Sequence, residues 1–102
     1  MKLLIITCIR EHEKQVMKIL HESGVKVFSI TETTGIKDGE SAELMDNWFS
    51  RGEGRVESLF IYSFTGEENA VKAMNAIKEF NRLNNEGFPL RGFVVPVEES
   101  SY

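Results

Sequence analysis

The sequence contains very little cysteine: Cys8 is the only one among 102 residues. A single thiol cannot form a disulfide within the chain, and it cannot supply a thiolate cluster for a metal ion. The composition therefore excludes a disulfide-stapled secreted domain. It fits a reducing compartment, and we expect the protein to be cytoplasmic.

Long hydrophobic runs and an excess of positive charge are also missing. The opening apolar stretch, KLLIITCI at residues 2–9, is followed at once by charged residues, so it predicts neither a signal peptide nor a membrane span. The net charge is −4. Binding to a nucleic-acid backbone needs a basic face. We therefore expect no nucleic-acid partner and no direct insertion into a membrane.

Hydrophobic patterning divides the chain into six elements within one domain, residues 1–102. Runs rich in β-branched residues predict strands at 2–9, 25–34, 55–64 and 90–97. Helical spacing predicts a first helix over 13–23, which Gly24 ends. Thr65 and Glu68 form a capping box that opens a second helix. The apolar stripe of that helix is Ala70, Ala73, Met74, Ile77, Phe80 and Leu83.

The order β-α-β-β-α-β is that of an α+β, ferredoxin-like domain with two helices on one face of an antiparallel sheet. Such a sheet should be polar on the face that its helices leave open. Here the first strand is apolar on both sides, with Leu3 and Ile5 on one and Leu4 and Ile6 on the other. The third strand repeats the pattern. A large exposed apolar face is rare on a monomer, so we predict a homo-oligomer.

Two short motifs resemble the PII signalling family and its PII-like relatives. TETTGI at 31–36 is similar to the end of the second strand in PII proteins, which leads into their T-loop. FPLRGFVVPVE at 88–98 is similar to the last strand of PII-like proteins found with heavy-metal efflux systems. The resemblance implies a homotrimer with ligand clefts between subunits. It also implies a mobile, T-loop-like segment at residues 35–54 that signals to a partner such as a membrane transporter or efflux protein.

The sequence departs from PII proteins at the turn before the last strand. PII proteins cradle phosphates there with glycines and lysine, whereas this chain has NNEGFPLR at 84–91. PII proteins bind adenine nucleotides, but this departure leaves the cofactor unknown and predicts only a small anionic ligand. Residues 35–54 also lack a tyrosine, so uridylylation is not expected.

The resemblance places the candidate site at the two ends of residues 35–54 and at the last strand. The predicted ligand-binding residues are Gly35, Ile36, Lys37, Arg51, Arg55 and Arg91. Arginine suits this role because its guanidinium binds carboxylate or phosphate with two hydrogen bonds. The predicted partner-binding residues are Trp48 and Phe49. Packing of this aromatic pair against the base of its own loop is the structural alternative.

Other functions on the same strand order are less well supported. Neither His12 nor His21 lies in a recognisable catalytic pattern, and no metal-ligand spacing occurs, so we predict a non-enzymatic protein without an intrachain metal site. The alternative is a divalent-metal-binding trimer of the copper-tolerance type. A small dimeric oxygenase-like enzyme is a third class.

Overall fold

The computed structural model of the protein describes residues 1–36, 55–84 and 87–101. In this part the elements follow the predicted order β-α-β-β-α-β. They are β1 (Lys2–Cys8), α1 (Glu13–Glu22), β2 (Ser29–Ile36), β3 (Arg55–Thr65), α2 (Glu67–Leu83) and β4 (Arg91–Pro96). A short 3₁₀ turn, Arg10–His12, joins β1 to α1 and was not predicted.

The four strands form one antiparallel sheet in the order β2-β3-β1-β4. β1 lies in the middle, where it pairs with β3 on one side and β4 on the other. β2 and β4 are therefore the edges of the sheet. This is the α+β, ferredoxin-like architecture that the sequence predicts.

The hydrophobic core lies between the sheet and the two helices. The helices cover the even-numbered residues of β1 and the odd-numbered residues of β3. The core residues on this face of the sheet include Leu4, Ile6, Cys8, Leu59 and Ile61. The helices contribute Val16, Ile19, Leu20, Ala73 and Ile77 to the same cluster. Each fully buried Leu, Ile or Val contributes about 1.5–3 kcal/mol relative to an exposed one, so this layer dominates the stability of the chain.

The first helix ends in a Schellman motif. Gly24 has a φ of +84°, and its N–H donates to the carbonyl of His21 at 3.1 Å. The N–H of Val25 donates to the carbonyl of Leu20 at 2.9 Å, and the Val25 side chain is buried in the core. Gly24 is thus the terminating glycine that the sequence predicts. Because Val25 belongs to this helix end, β2 begins at Ser29, and the predicted strand start at residue 25 was wrong.

The capping box predicted for the second helix does not form. Thr65 is still part of β3, and the N-cap residue of α2 is Gly66, which provides no side-chain cap. The helix begins at Glu67, and its first turn carries Glu67 and Glu68. Negative charge at this end interacts favourably with the helix dipole, which partly replaces the missing cap.

The sheet face turned away from the helices is apolar, and we call it the open face. It carries Leu3, Ile5, Phe60, Tyr62, Phe64, Phe93 and Val95, which the strand register brings together. Phe64 is 55% exposed and Val95 41% exposed. The rings of Phe60 and Tyr62 lie 5.9 Å apart, and those of Tyr62 and Phe64 6.5 Å apart. A continuous aromatic and aliphatic surface is thus presented to solvent by one chain.

Candidate functional site

The predicted site residues divide into those that the structure describes and those that it does not. Lys37, Trp48, Phe49 and Arg51 lie outside the described residues. Gly35, Ile36, Arg55 and Arg91 lie within them. These last four occupy two different places on the sheet.

The first place is the end of the β2–β3 hairpin. Gly35 pairs with Val56, and Ile36 pairs with Arg55, so these residues belong to the strand ladder and not to the connecting segment. Gly35 is buried in extended backbone, and positive φ angles among the described glycines occur at Gly24 and Gly87. Gly35 therefore lies within a strand and not in a turn.

The second place is the start of β4. Arg91 pairs with Thr7 of β1, and Thr7 pairs on its other side with Phe60 of β3. Arg55 lies five residues before Phe60 along β3, a separation of roughly 17 Å along the strand. Arg55 and Arg91 are consequently far apart in one chain, on opposite sides of the central strand. They can contribute to a common site only if two chains meet.

A polar cleft of about 170 Å³ lies next to the hairpin end, and we call it the hairpin cleft. Its lining is Arg10, Glu32, Thr33, Thr34, Glu57 and Ser58. Thr33 pairs with Ser58 and Thr34 with Glu57, directly before Gly35. Sequence analysis missed this set because its members come from three separate strands or turns.

An ion pair between Arg10 and Glu32 crosses the hairpin cleft. The hydrogen bond that Arg10 donates to Glu32, together with the attraction of the Glu32 charge, raises the pKa of Arg10 above its ordinary value. Both side chains are largely exposed, so the pair contributes little to stability. The pair affects the electrostatics of the cleft, because the positive charge of Arg10 is neutralised by the carboxylate of Glu32. Glu57 adds a further negative charge.

Ser58 has a buried hydroxyl with an unmet hydrogen-bonding requirement. The residue is 4% exposed, and in the described structure its Oγ has no hydrogen-bond partner. Leaving a buried hydroxyl unpaired costs about 1–3 kcal/mol, and such a group is explained by strain, a functional role or an ordered water or ion. Ser58 shares the parity of Phe60 and Tyr62 on β3, so its side chain lies on the opposite face of the sheet from Glu32 and Glu57.

Cys8 and the possible metal ligands are the other reactive groups of the described residues. Burial, with a smaller effect of the Glu13 charge, raises the pKa of the Cys8 thiol to about 12. A thiol with that pKa stays protonated at neutral pH and is a poor nucleophile. Within residues 1–36, 55–84 and 87–101, no group of three or more His, Cys, Asp or Glu side chains could hold a metal ion. No helix in that part is long and apolar enough to cross a membrane.

Comparison with known proteins bears on the fold. No protein-family model matches the chain, and no curated protein matches its sequence. The structure is similar to the crystal structure of a DUF3240 family protein from Shewanella baltica OS155, with a TM-score of 0.66 and 15% sequence identity. The similarity covers 99% of this chain and 93% of the other. At that identity the likeness concerns the fold, and it extends over nearly the whole domain.

Proposed function

We propose that this chain is a cytoplasmic, PII-like regulatory protein that forms a homotrimer and binds a small anionic ligand between its subunits. It has no catalytic activity of its own. Ligand binding changes the segment that connects β2 and β3, and this segment signals to a transport system, such as a metal-efflux protein in the membrane.

The open face is the observation that carries this proposal. It presents neighbouring apolar side chains from three strands, and Phe64 and Val95 are both substantially exposed in one chain. Contiguous apolar patches on soluble monomers are small, and larger ones mark interaction surfaces. Contact with copies of the same chain would remove this surface from water. The similarity of the motifs at 31–36 and 88–98 to PII-like proteins favours three copies.

The separation of the predicted ligand-binding residues supports a site between subunits. β2 and β4 are unlike edges of the same sheet. A ring of copies that brings β4 of one chain to the hairpin end of the next would place Arg91 near Gly35 and Ile36. Arg91 would then add a second guanidinium beside the pair formed by Arg10 and Glu32.

The mass in solution tests the assembly. We expect light scattering to give three times the 11.6 kDa chain mass. Phe64→Glu places a charge on the open face and should yield monomers. Val71→Glu is the matched control, since Val71 is similarly exposed, 53%, but lies on α2 away from that face. A monomeric wild-type chain, or equal disruption by both substitutions, would contradict the proposed trimer.

Ligand screening by thermal unfolding tests the site. Adenine nucleotides, citrate and inorganic phosphate are compared with Zn²⁺ and Cu²⁺, since a ligand that binds the native state raises the melting temperature. We expect an anion to stabilise the wild type but not Arg91→Ala. Arg82→Ala is the control, because Arg82 pairs with Glu79 on the outer surface of α2. Stabilisation by metal ions alone would favour the metal-binding trimer instead.

A further inference from the structure

A second cleft lies on the helical side of the described structure, away from the open face. It has a volume of about 500 Å³ and lies between the 3₁₀ turn with the start of α1 and the end of α2. We call it the helix-end cleft. It is lined by Glu11, His12, Gln15, Phe80, Leu83 and Asn84. None of these residues belongs to the hairpin cleft or to the predicted anion site.

The floor of the helix-end cleft is apolar and well supported. Phe80 packs against the core cluster, and the His12 ring meets it edge to face with centroids 5.2 Å apart. His12 itself is buried, which holds this pair in place. Leu83 is 63% exposed at the same cleft. The cleft combines this apolar floor with the polar groups of Glu11, Gln15 and Asn84, and its volume lies within the roughly 300–1,000 Å³ of small-molecule sites.

The charge of the cleft has one sign. Among its six lining residues Glu11 is the only carboxylate, and none is lysine or arginine. In the described part of the chain Glu11 takes part in no ion pair. The arginines nearest in sequence to the lining residues are already engaged, Arg10 by Glu32 and Arg82 by Glu79. Glu11 therefore brings a carboxylate to a cleft whose lining contains no lysine or arginine.

We propose that the helix-end cleft binds a small organic cation with an apolar body, of the arylalkylammonium class. The ammonium group pairs with the Glu11 carboxylate, and the side-chain amide of Gln15 accepts a further N–H. The apolar body packs on Phe80 and Leu83. The ring of Phe80 also attracts a cation that lies near its face. An anion of the same shape is disfavoured because Glu11 repels it and the lining contains no lysine or arginine. The inference does not depend on the trimer or on the anionic ligand.

The test is an NMR titration of the full-length protein with 2-phenylethylammonium chloride, followed in ¹H–¹⁵N spectra. The matched probes are 2-phenylethanol, which is neutral, and 3-phenylpropionate, which is anionic. The variant is Glu11→Gln, and the control is Glu22→Gln, an exposed carboxylate at the opposite end of α1. The spectrum of each variant also reports whether it is folded.

We expect saturable shifts with the ammonium probe, confined to residues around the helix-end cleft. Glu11→Gln should weaken binding roughly tenfold, as loss of a charge-assisted hydrogen bond does, while Glu22→Gln leaves it unchanged. The proposal is overturned if 3-phenylpropionate binds equally well, if Glu11→Gln binds like the wild type, or if the ammonium probe produces no saturable shift. Equal weakening by both substitutions would also overturn it, because binding would then follow net charge alone.

Discussion

Asn81 and Leu90 are joined by two hydrogen bonds that connect the second helix to the last strand. The Asn81 side-chain Nδ2 donates to the Leu90 carbonyl at 2.8 Å, and the Leu90 N–H donates to Asn81 Oδ1 at 2.8 Å. The amide thus satisfies both backbone groups of Leu90, whose own side chain is buried in the core. This contact fixes the point at which the chain enters β4, and so the position of Arg91.

Replacing Asn81 by Asp should reduce the free energy of unfolding by about 1–3 kcal/mol, because a carboxylate cannot donate to the Leu90 carbonyl and leaves it unpaired. Urea unfolding followed by circular dichroism, at one protein concentration, measures the change. Asn75→Asp is the control, since Asn75 is exposed on the same helix. A loss of the same size in the control would show that charge, and not the lost donor, is responsible.

Gly24→Ala should destabilise the protein through both backbone and packing. Its φ of +84° disfavours any residue with a Cβ, and that Cβ would lie 3.1 Å from Asn69 Oδ1. Gly87 has a φ of +83° but open space around it, so Gly87→Ala isolates the backbone effect. Gly66 has neither constraint.

We expect losses in the free energy of unfolding of about 1–2 kcal/mol for Gly24→Ala, less for Gly87→Ala and least for Gly66→Ala. Thermal unfolding of the three variants tests this order, which a larger loss at Gly66 would refute.

Gly92→Ala should also destabilise the protein, because α2 lies close above this residue of β4. An added Cβ would lie 2.8 Å from Met74 Sδ and 3.0 Å from Ile77 Cδ1. Overpacking of this kind typically costs about 1–3 kcal/mol. A double-mutant cycle with Met74→Ala measures the cause: the cost of Gly92→Ala should be smaller when the thioether is absent. Additive losses would mean that Met74 moves aside freely and the contact is unimportant.

Cys8 should make stability fall as the pH rises above about 9. Its folded-state pKa is about 12, against an ordinary value of 9.0. Between those values the unfolded thiol has lost its proton while the folded one has kept it, so unfolding is favoured by at most about 1.4 kcal/mol per pH unit. Cys8→Val lacks this group, and the difference in unfolding free energy between wild type and variant should diminish as the pH rises. A difference independent of pH between 9 and 11 would contradict the prediction.

The fold could be predicted because it depends on periodicities that are visible in one sequence. The apolar, β-branched runs of β1 and β3 and the helical spacing from Val16 to Leu20 each identify an element without reference to any other. Errors arose where neighbouring elements compete for the same residues. Val25 closes the end of α1 instead of starting β2, and Thr65 extends β3 instead of capping α2.

The candidate site could not be predicted as fully as the fold, because it depends on the register in which the strands pair. Nothing local brings Arg10 to Glu32 or leaves the Ser58 hydroxyl buried; both follow from how β2 pairs with β3 beside the end of β1. A predicted hairpin register for TETTGI and RVESLF would have shown that Thr33 and Ser58 are neighbours. The distance between Arg55 and Arg91 could likewise be found only once the strand order was known.

The central position of β1 has a consequence for how the chain is made. The first strand to leave the ribosome has neighbours on both sides, β3 and β4, that are synthesised much later, and β4 is the last of the elements to appear. Contacts between distant parts of a chain slow folding. Until they form, the apolar residues of β1 are unprotected on both sides. Nascent chains of this protein should therefore depend on chaperones until translation reaches the final strand.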